Sequence, residues 1–286
     1  MSPSRLRYEL HISHQANNLF NKKVLYEALF YVPKGRLKRL FKRQEQKFYF
    51  GQEFGIFAID DPRKENIHDD ASVINTLAKL NHLQSIYLSQ LIGTLQTNSI
   101  GFGRVQQNST QWLSAYANDK ACLERLNHEL RRFDVGLESM SVEKGDQGLY
   151  AKFKHVGLDG FILLGEESAG TQRFIEIFPR LHYALESSSV TVIDELDTDF
   201  HPLLLSELFC WFSNLKRNPY NAQLFFTAHN PAILDELEEE QVFFVEKPSG
   251  QPTSIFSARD IKRLRREPSL MKKYLTGELG AVPHIG

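Results

Sequence analysis

The sequence predicts an α/β protein with a parallel core sheet, an N-terminal antiparallel strand region and a helical insertion between the two. Three observations predict it. Residues 5–60 read as period-two strands separated by turns. Residues 71–133 shift to helical spacing. After residue 140, short β-branched and aromatic runs alternate with helical stretches, the order that gives right-handed crossovers and a parallel sheet.

In the first region Leu6, Tyr8, Leu10 and Ile12 alternate, and residues 24–32 form a β-branched and aromatic run ending in Pro33-Lys34-Gly35-Arg36. Residues 47–50 form a further strand that stops at Gly51, so an antiparallel meander is expected, apolar on one face and basic on the other. Val73, Leu77, Leu80, Tyr87 and Leu91 then predict one long amphipathic helix over residues 71–95. A second helical stretch, residues 112–133, follows the glycine-containing Gly101-Phe102-Gly103.

Residues 149–153 and 161–164 read as short strands. Residues 168–186 read as a helix with Phe174, Ile177, Phe178, Leu181 and Leu185 on one side, kinked by the internal Pro179. Val190–Ile193 has the four-residue apolar form of a strand buried on both faces. A helix over residues 202–215, with proline in its first turn, and two further buried strands at 224–227 and 242–245 complete the pattern. Ligands of such sheets bind beyond the carboxyl ends of the strands.

Composition is that of a globular chain. The 286 residues carry a formal net charge of -1, with 42% hydrophobic and 24% charged residues. The balance gives no whole-molecule case for binding nucleic acid or a membrane surface. The basic stretches 34–39 and 262–266 read as solvated surface that could touch phosphates. Cys122 and Cys210 stand far apart without a histidine cluster, which argues against a disulfide framework or structural zinc. Residues 1–10 lack the apolar core of a signal peptide, and no apolar run reaches the roughly 18 residues of a spanning helix. A cytoplasmic protein with no membrane partner is expected.

Chemistry concentrates in three strings. Val190-Thr191-Val192-Ile193-Asp194-Glu195 sets two carboxylates at the exit of a buried strand, where they need a cation or a proton-transfer role. An aspartate there can hold Mg²⁺ and the following glutamate can polarise an attacking water. Thr227-Ala228-His229-Asn230 ends the next apolar strand and offers a histidine to a γ-phosphate or to that water. Ser168-Ala169-Gly170-Thr171 opens a helix, where a hydroxyl and unhindered amides favour phosphate. Each string alone has a plainer reading: a solvated acidic strand end, a structural histidine, or a simple N-cap by Ser168 or Thr171.

Their order resembles the back half of an ABC-type, SMC-like ATPase head. Ser168-Ala169-Gly170-Thr171-Gln172 resembles the signature motif, Leu196-Asp197-Thr198-Asp199 the D-loop, and His229 the switch histidine. The strings VIDELDTDFHPLLL, NPYNAQLFFTAHN, VFFVEK and KKYLTGELGAVP are similar to prokaryotic AAA-type ATP-binding proteins of that branch, some associated with phage defence or abortive infection. YEALFYVPKGRLKRLF resembles the strand region that follows their phosphate loop.

The resemblance implies a P-loop NTPase-like head with ATP and Mg²⁺ as cofactors. It implies metal binding by Asp194 and catalysis by Glu195 and His229. Ser168, Gly170 and Thr171 would contact nucleotide held by a second protomer, and Asp197 would link the two sites. The domains implied are 1–65 for the antiparallel region, 66–140 for the helical insertion and 141–286 for the ATPase core. A dimer opened and closed by nucleotide, acting on an effector protein or nucleic acid, is the implied switch.

One departure stands out. The string Gly-x-x-x-x-Gly-Lys-[Ser/Thr] occurs nowhere in the 286 residues. That loop provides most contacts to the β- and γ-phosphates. An N-terminally shortened member, inactive alone, is therefore expected, with the loop carried by a Walker A-bearing partner or an upstream segment. Two alternatives remain at this point: a non-enzymatic half of a split ATPase, and a metal-dependent nuclease using Asp194, Glu195 and Asp197.

Overall fold

Alternation in the first fifty residues becomes a four-stranded antiparallel meander, β1 (Arg5–Ile12), β2 (Val24–Val32), β3 (Lys38–Gln44) and β4 (Lys47–Phe50), paired in sequence order. These belong to a computed structural model that describes residues 5–13, 22–33, 35–54, 62–100, 103–104, 109–133, 136–247, 249–261 and 269–281. Lys34, Gly101-Phe102 and the basic stretch 262–266 lie outside the described residues, as do Val282 and Pro283 of the last string. The chain divides into two compact units, Met1–Thr94 and Leu95–Gly286.

In the first unit one face of the meander packs Leu29 and Phe41 against Phe54, Val73, Ile74 and Leu77. The helical stretch breaks into α1 (Val73–Lys79) and α2 (Leu83–Gly93). Asn81 takes a left-handed φ of 61°, which asparagine tolerates better than most residues, and His82 caps α2 by accepting the Ser85 amide. The expected stripe holds in α1 at Val73 and Leu77 but not in α2, where Tyr87 and Leu91 are exposed and Ser85 and Leu88 are buried instead.

Two charged residues are fully buried here. The Glu27 carboxylate accepts the Tyr8 hydroxyl (2.9 Å) and the Val73 amide (2.7 Å), so a strand residue caps α1 from outside. Burial pushes the Glu27 carboxyl above its usual range. Arg43 donates to the carbonyls of Glu45, His68 and Ala71, tying β3 to the segment before α1. Buried charges persist only when hydrogen-bonded in this way.

In the second unit β5 (Gln96–Thr97), β11 (Val190–Ile193) and β12 (Gln223–Phe226) form the parallel sheet, with β11 in the middle. The short strands β6 (Ser99–Ile100) and β7 (Gly103–Arg104) pair antiparallel. α3 (Ser109–Asn118) and α4 (Lys120–Phe133) replace the single stretch expected over residues 112–133, because Asp119 interrupts it and accepts the Cys122 amide. An antiparallel sheet of β8 (Leu137–Gly145), β9 (Gly148–His155) and β10 (Ile162–Leu163) precedes α5 (Ala169–Ser187).

After β11 comes α6 (Pro202–Ser213), capped by His201 with proline at its first position. Helices α3 to α6 share one core, in which Phe178 meets Trp211 edge-on at 6.0 Å. Burying each such ring contributes about 1.5–3 kcal/mol. β13 (Phe243–Glu246) departs from its reading as a buried member of the parallel sheet. It pairs antiparallel with β14 (Ser254–Ser257), and a short helix α7 (Leu270–Leu275) follows. Phe244 is buried while Phe243 and Val245 are exposed, so this apolar run serves a half-buried ribbon. No described helix is long and apolar enough to cross a membrane.

Pro179 lies inside α5 without ending it. Proline has no amide proton for the carbonyl four residues earlier, that of Ile175. The hydroxyl of buried Tyr116 donates to that oxygen at 2.7 Å. Burial holds the phenol far above its ordinary pKa, so it stays a donor. Tyr116→Phe is therefore expected to destabilise the protein by about 1–3 kcal/mol, the cost of an unsatisfied buried carbonyl. Urea titration checks it, and Pro179→Ala should reduce the penalty by restoring a donor; an equal penalty in both backgrounds would refute the pairing.

Candidate functional site

The site grows from the carboxyl ends of β11 and β12. Their parallel ladder continues past Ile193: the Thr227 amide donates to the Ile193 carbonyl (3.1 Å) and the Leu196 amide to the Thr227 carbonyl (2.9 Å). Asp194 and Glu195 thus leave the central strand beside Thr227 of its neighbour. The Thr227 hydroxyl donates to Asp194 Oδ1 at 2.6 Å and accepts the Glu195 amide at 2.7 Å. One side chain fixes a carboxylate and the backbone of the residue after it.

Glu195 has a φ of 50°, in the left-handed region that costs a non-glycine residue roughly 1–2 kcal/mol. The turn sends its carboxylate outward, 38% exposed, with Oε1 3.8 Å from His229 Nε2 and Oε2 3.4 Å from the Thr198 hydroxyl. The histidine side chain is 82% exposed.

Asp197 turns toward the other strand tip. Its Oδ2 accepts the backbone amides of His229 (2.9 Å) and Asn230 (2.7 Å), so this carboxylate holds the segment that carries His229. Asn230 accepts the Ala232 amide and caps the turn that follows. Asp197 Oδ1 is buried without a hydrogen-bond partner.

The start of α5 packs on the turn after β11. A Cβ placed on Gly170 would stand 2.8 Å from the Asp199 carbonyl oxygen, so only glycine fits. Ser168 is the N-cap: its hydroxyl accepts the Thr171 amide (3.1 Å) and lies 2.8 Å from the Thr171 hydroxyl. Beside them, the Glu167 carboxylate accepts from His155 Nε2 at 2.7 Å, and the Gln172 side chain donates to the Glu167 carbonyl.

Two residues outside the three predicted strings also belong here. Asn98, 1% exposed, follows β5; its side chain accepts the Asp194 amide (2.7 Å) and donates to the Asp194 carbonyl (3.0 Å). It replaces a strand partner with an amide group. Arg173 of α5 is buried, donates to the Asp194 carbonyl at 3.3 Å and pairs with Glu176 at 3.0 Å. Arg173 directly follows the Ser168–Gln172 string. Asn98 carries no sequence signal, because its partner lies 96 residues away.

Chemically, the arrangement offers one fixed carboxylate for a cation, one exposed carboxylate beside an imidazole for a water, and a glycine-tight helix start. Among the described residues no group of three His, Cys, Asp or Glu side chains comes together as a metal cluster.

The chain is similar to several solved structures. One, described as structural biochemistry of ATP-driven dimerization and DNA stimulated activation of SMC ATPases, is 11% identical with a TM-score of 0.40, over 59% of this chain and 97% of that one. An SmcHead bound to the C-winged helix domain of ScpA is 11% identical with a TM-score of 0.42, over 82% and 68%. An Smc head domain with a coiled coil and joint from Pyrococcus yayanosii is 13% identical with a TM-score of 0.40, over 56% and 29%. No curated protein matches the chain.

The family model for the AAA domain described as putative AbiEii toxin, Type IV TA system, matches residues 4–235, a range that includes the strings 168–172, 190–199 and 227–230. The resemblance read from the order of those strings therefore holds across most of the sequence: this chain is a member of that AAA-domain family.

Proposed function

We propose that the chain is the hydrolytic half of an ABC-type ATPase head, a nucleotide-driven dimer switch in a defence or DNA-related system. The observation that carries this reading is the Thr227 hydroxyl, which locks Asp194 and Glu195 into a fixed relation at adjacent strand ends. A pair of carboxylates that merely capped a strand in solvent would need no such clamp.

The donors fit Mg²⁺. Asp194 uses Oδ1 on Thr227 and keeps its second oxygen for a hard cation, and Mg²⁺ is commonly held by one or two carboxylates plus phosphate and water. Bound there, the ion would offset charge developing on the transferred phosphoryl group. Glu195 orients the attacking water and accepts its proton, and His229 stands 3.8 Å away to meet the γ-phosphate. Ser168, Gly170 and Thr171 present the α5 start to nucleotide held by a second protomer. Asp197 couples the halves, since any shift of its turn is passed through Oδ2 to the amides of His229 and Asn230. That commitment of Asp197 also favours the ATPase reading over the nuclease, which needs this carboxylate for metal.

The phosphate loop comes from an upstream segment or a Walker A-bearing partner, because no such string occurs in the 286 residues. The chain alone is expected to bind ATP weakly and turn it over negligibly. Supplying the loop, on a neighbouring gene product or an extended chain, should give Mg²⁺-dependent phosphate release. The reading fails if release stays at background with the loop present, or if it proceeds equally in EDTA.

A further inference from the structure

We infer that the open face of the first unit's sheet binds single-stranded nucleic acid. Charge in this chain is segregated: residues 1–50 hold 11 Lys and Arg against 3 Asp and Glu, although the whole chain is nearly neutral. Such asymmetry marks a polyanion-facing segment.

The strand register sorts these charges by face. The inner face, with Leu29, Phe41 and Phe50, covers the core formed with α1. The outer face receives Arg5 and Arg7 from β1, Arg39 and Lys42 from β3, and Lys47 from β4. Glu9 is the one carboxylate the register puts there among the described residues, and it is paired with Arg7 at 2.6 Å.

Aromatic rings interleave with the cations. Phe30 has Arg7 as its partner on one neighbouring strand and Arg39 on the other. Tyr49 is opposite Lys42 and 53% exposed, and the Lys42 ammonium lies 5.6 Å from the Tyr26 ring centre. Ala28, between Glu9 and Lys42 in the middle of the face, is itself buried.

Flat faces in which cations meet phosphates and rings meet unstacked bases are how proteins hold single strands. A duplex hides its base faces and is read by elements that enter a groove, which a broad pleated face does not provide. An acidic peptide would use the cations and leave Tyr49 idle. The inference stands apart from the ATPase reading, since none of these residues belongs to the β11–β12 site.

The test is fluorescence anisotropy of the full chain with a labelled single-stranded oligonucleotide of about 16 nucleotides, across a salt series. Binding should weaken linearly in log affinity against log salt. Arg39→Glu with Lys42→Glu should weaken it at least about thirtyfold and flatten the salt slope by about one to two units. Tyr49→Ala should weaken it about tenfold without changing the slope, because a lost stack removes no counterion. Lys79→Glu on α1 should leave affinity within about twofold, and all variants should keep the parent unfolding midpoint, as the altered side chains lie outside the core. The inference is overturned if charge reversal leaves affinity unchanged, if duplex of the same sequence binds more tightly, or if polyglutamate competes as well as the oligonucleotide.

Discussion

Glu195→Gln should lower ATP turnover by a factor of about 10² to 10⁴, the range general-base removal produces, once the phosphate loop is supplied. Glutamine keeps the shape of the side chain and its place 3.8 Å from His229. What it loses is the capacity to take a proton from water. Nucleotide binding should therefore persist, and ATP-held dimers should accumulate, since the switch can close but no longer reset.

The backbone strengthens the case. Glu195 occupies the left-handed region, held there by the hydrogen bond its backbone amide donates to the Thr227 hydroxyl. Strain of this kind persists when a site needs its geometry. Glu195→Gly should relieve it, matching or exceeding the parent's thermal stability while turnover falls as far as in the glutamine variant. Steady-state phosphate release and size-exclusion chromatography with ATP measure the two arms. Unchanged turnover in Glu195→Gln removes this residue from the base role.

How far the sequence could lead depended on the range of each interaction. Most of the meander was legible because period-two alternation and turn residues are local: β1, β2 and β4 lie where the pattern put them, whereas β3, whose KRLFKRQ string is dominated by cations, was not read as a strand. The strand exits were legible because Val190–Ile193 ends in two acids at adjacent positions. Breaks inside helical stretches were not, since they rest on single dihedrals and caps at Asn81, His82 and Asp119. At Pro179 the lost hydrogen bond was legible, but its replacement by the Tyr116 hydroxyl from another helix was not. β13 misled because an apolar run of four looks alike in a buried strand and in a half-buried ribbon. Within the site, the string Thr-x-His drew notice for its histidine, whereas the threonine makes the closer contacts. Its role depends on pairing across β11 and β12, which no spacing within one string encodes.

Thr227 consequently gives the second large effect. Thr227→Val preserves the β-branched shape and removes one hydroxyl, leaving the Glu195 amide without its acceptor and Asp194 Oδ1 without its donor. A fully buried loss of this kind costs about 1–3 kcal/mol. Thr227 is exposed, so water can hydrate the orphaned groups and the stability loss should fall at the low end, about 1 kcal/mol. Turnover should suffer more, because hydration satisfies the groups without fixing them. A fall of about thirty- to a hundredfold, worth roughly 2–2.7 kcal/mol of barrier, is expected in the loop-supplied enzyme. The apparent Mg²⁺ requirement should rise with it, since Asp194 is no longer held toward the cation, while a general stability defect would leave that requirement unchanged. Thr227→Ser keeps the hydroxyl and should recover turnover to within about threefold of the parent, its looser rotamer accounting for the remainder. Serine and valine variants that behave alike would show that methyl packing rather than the hydroxyl clamp is what the two strand ends require.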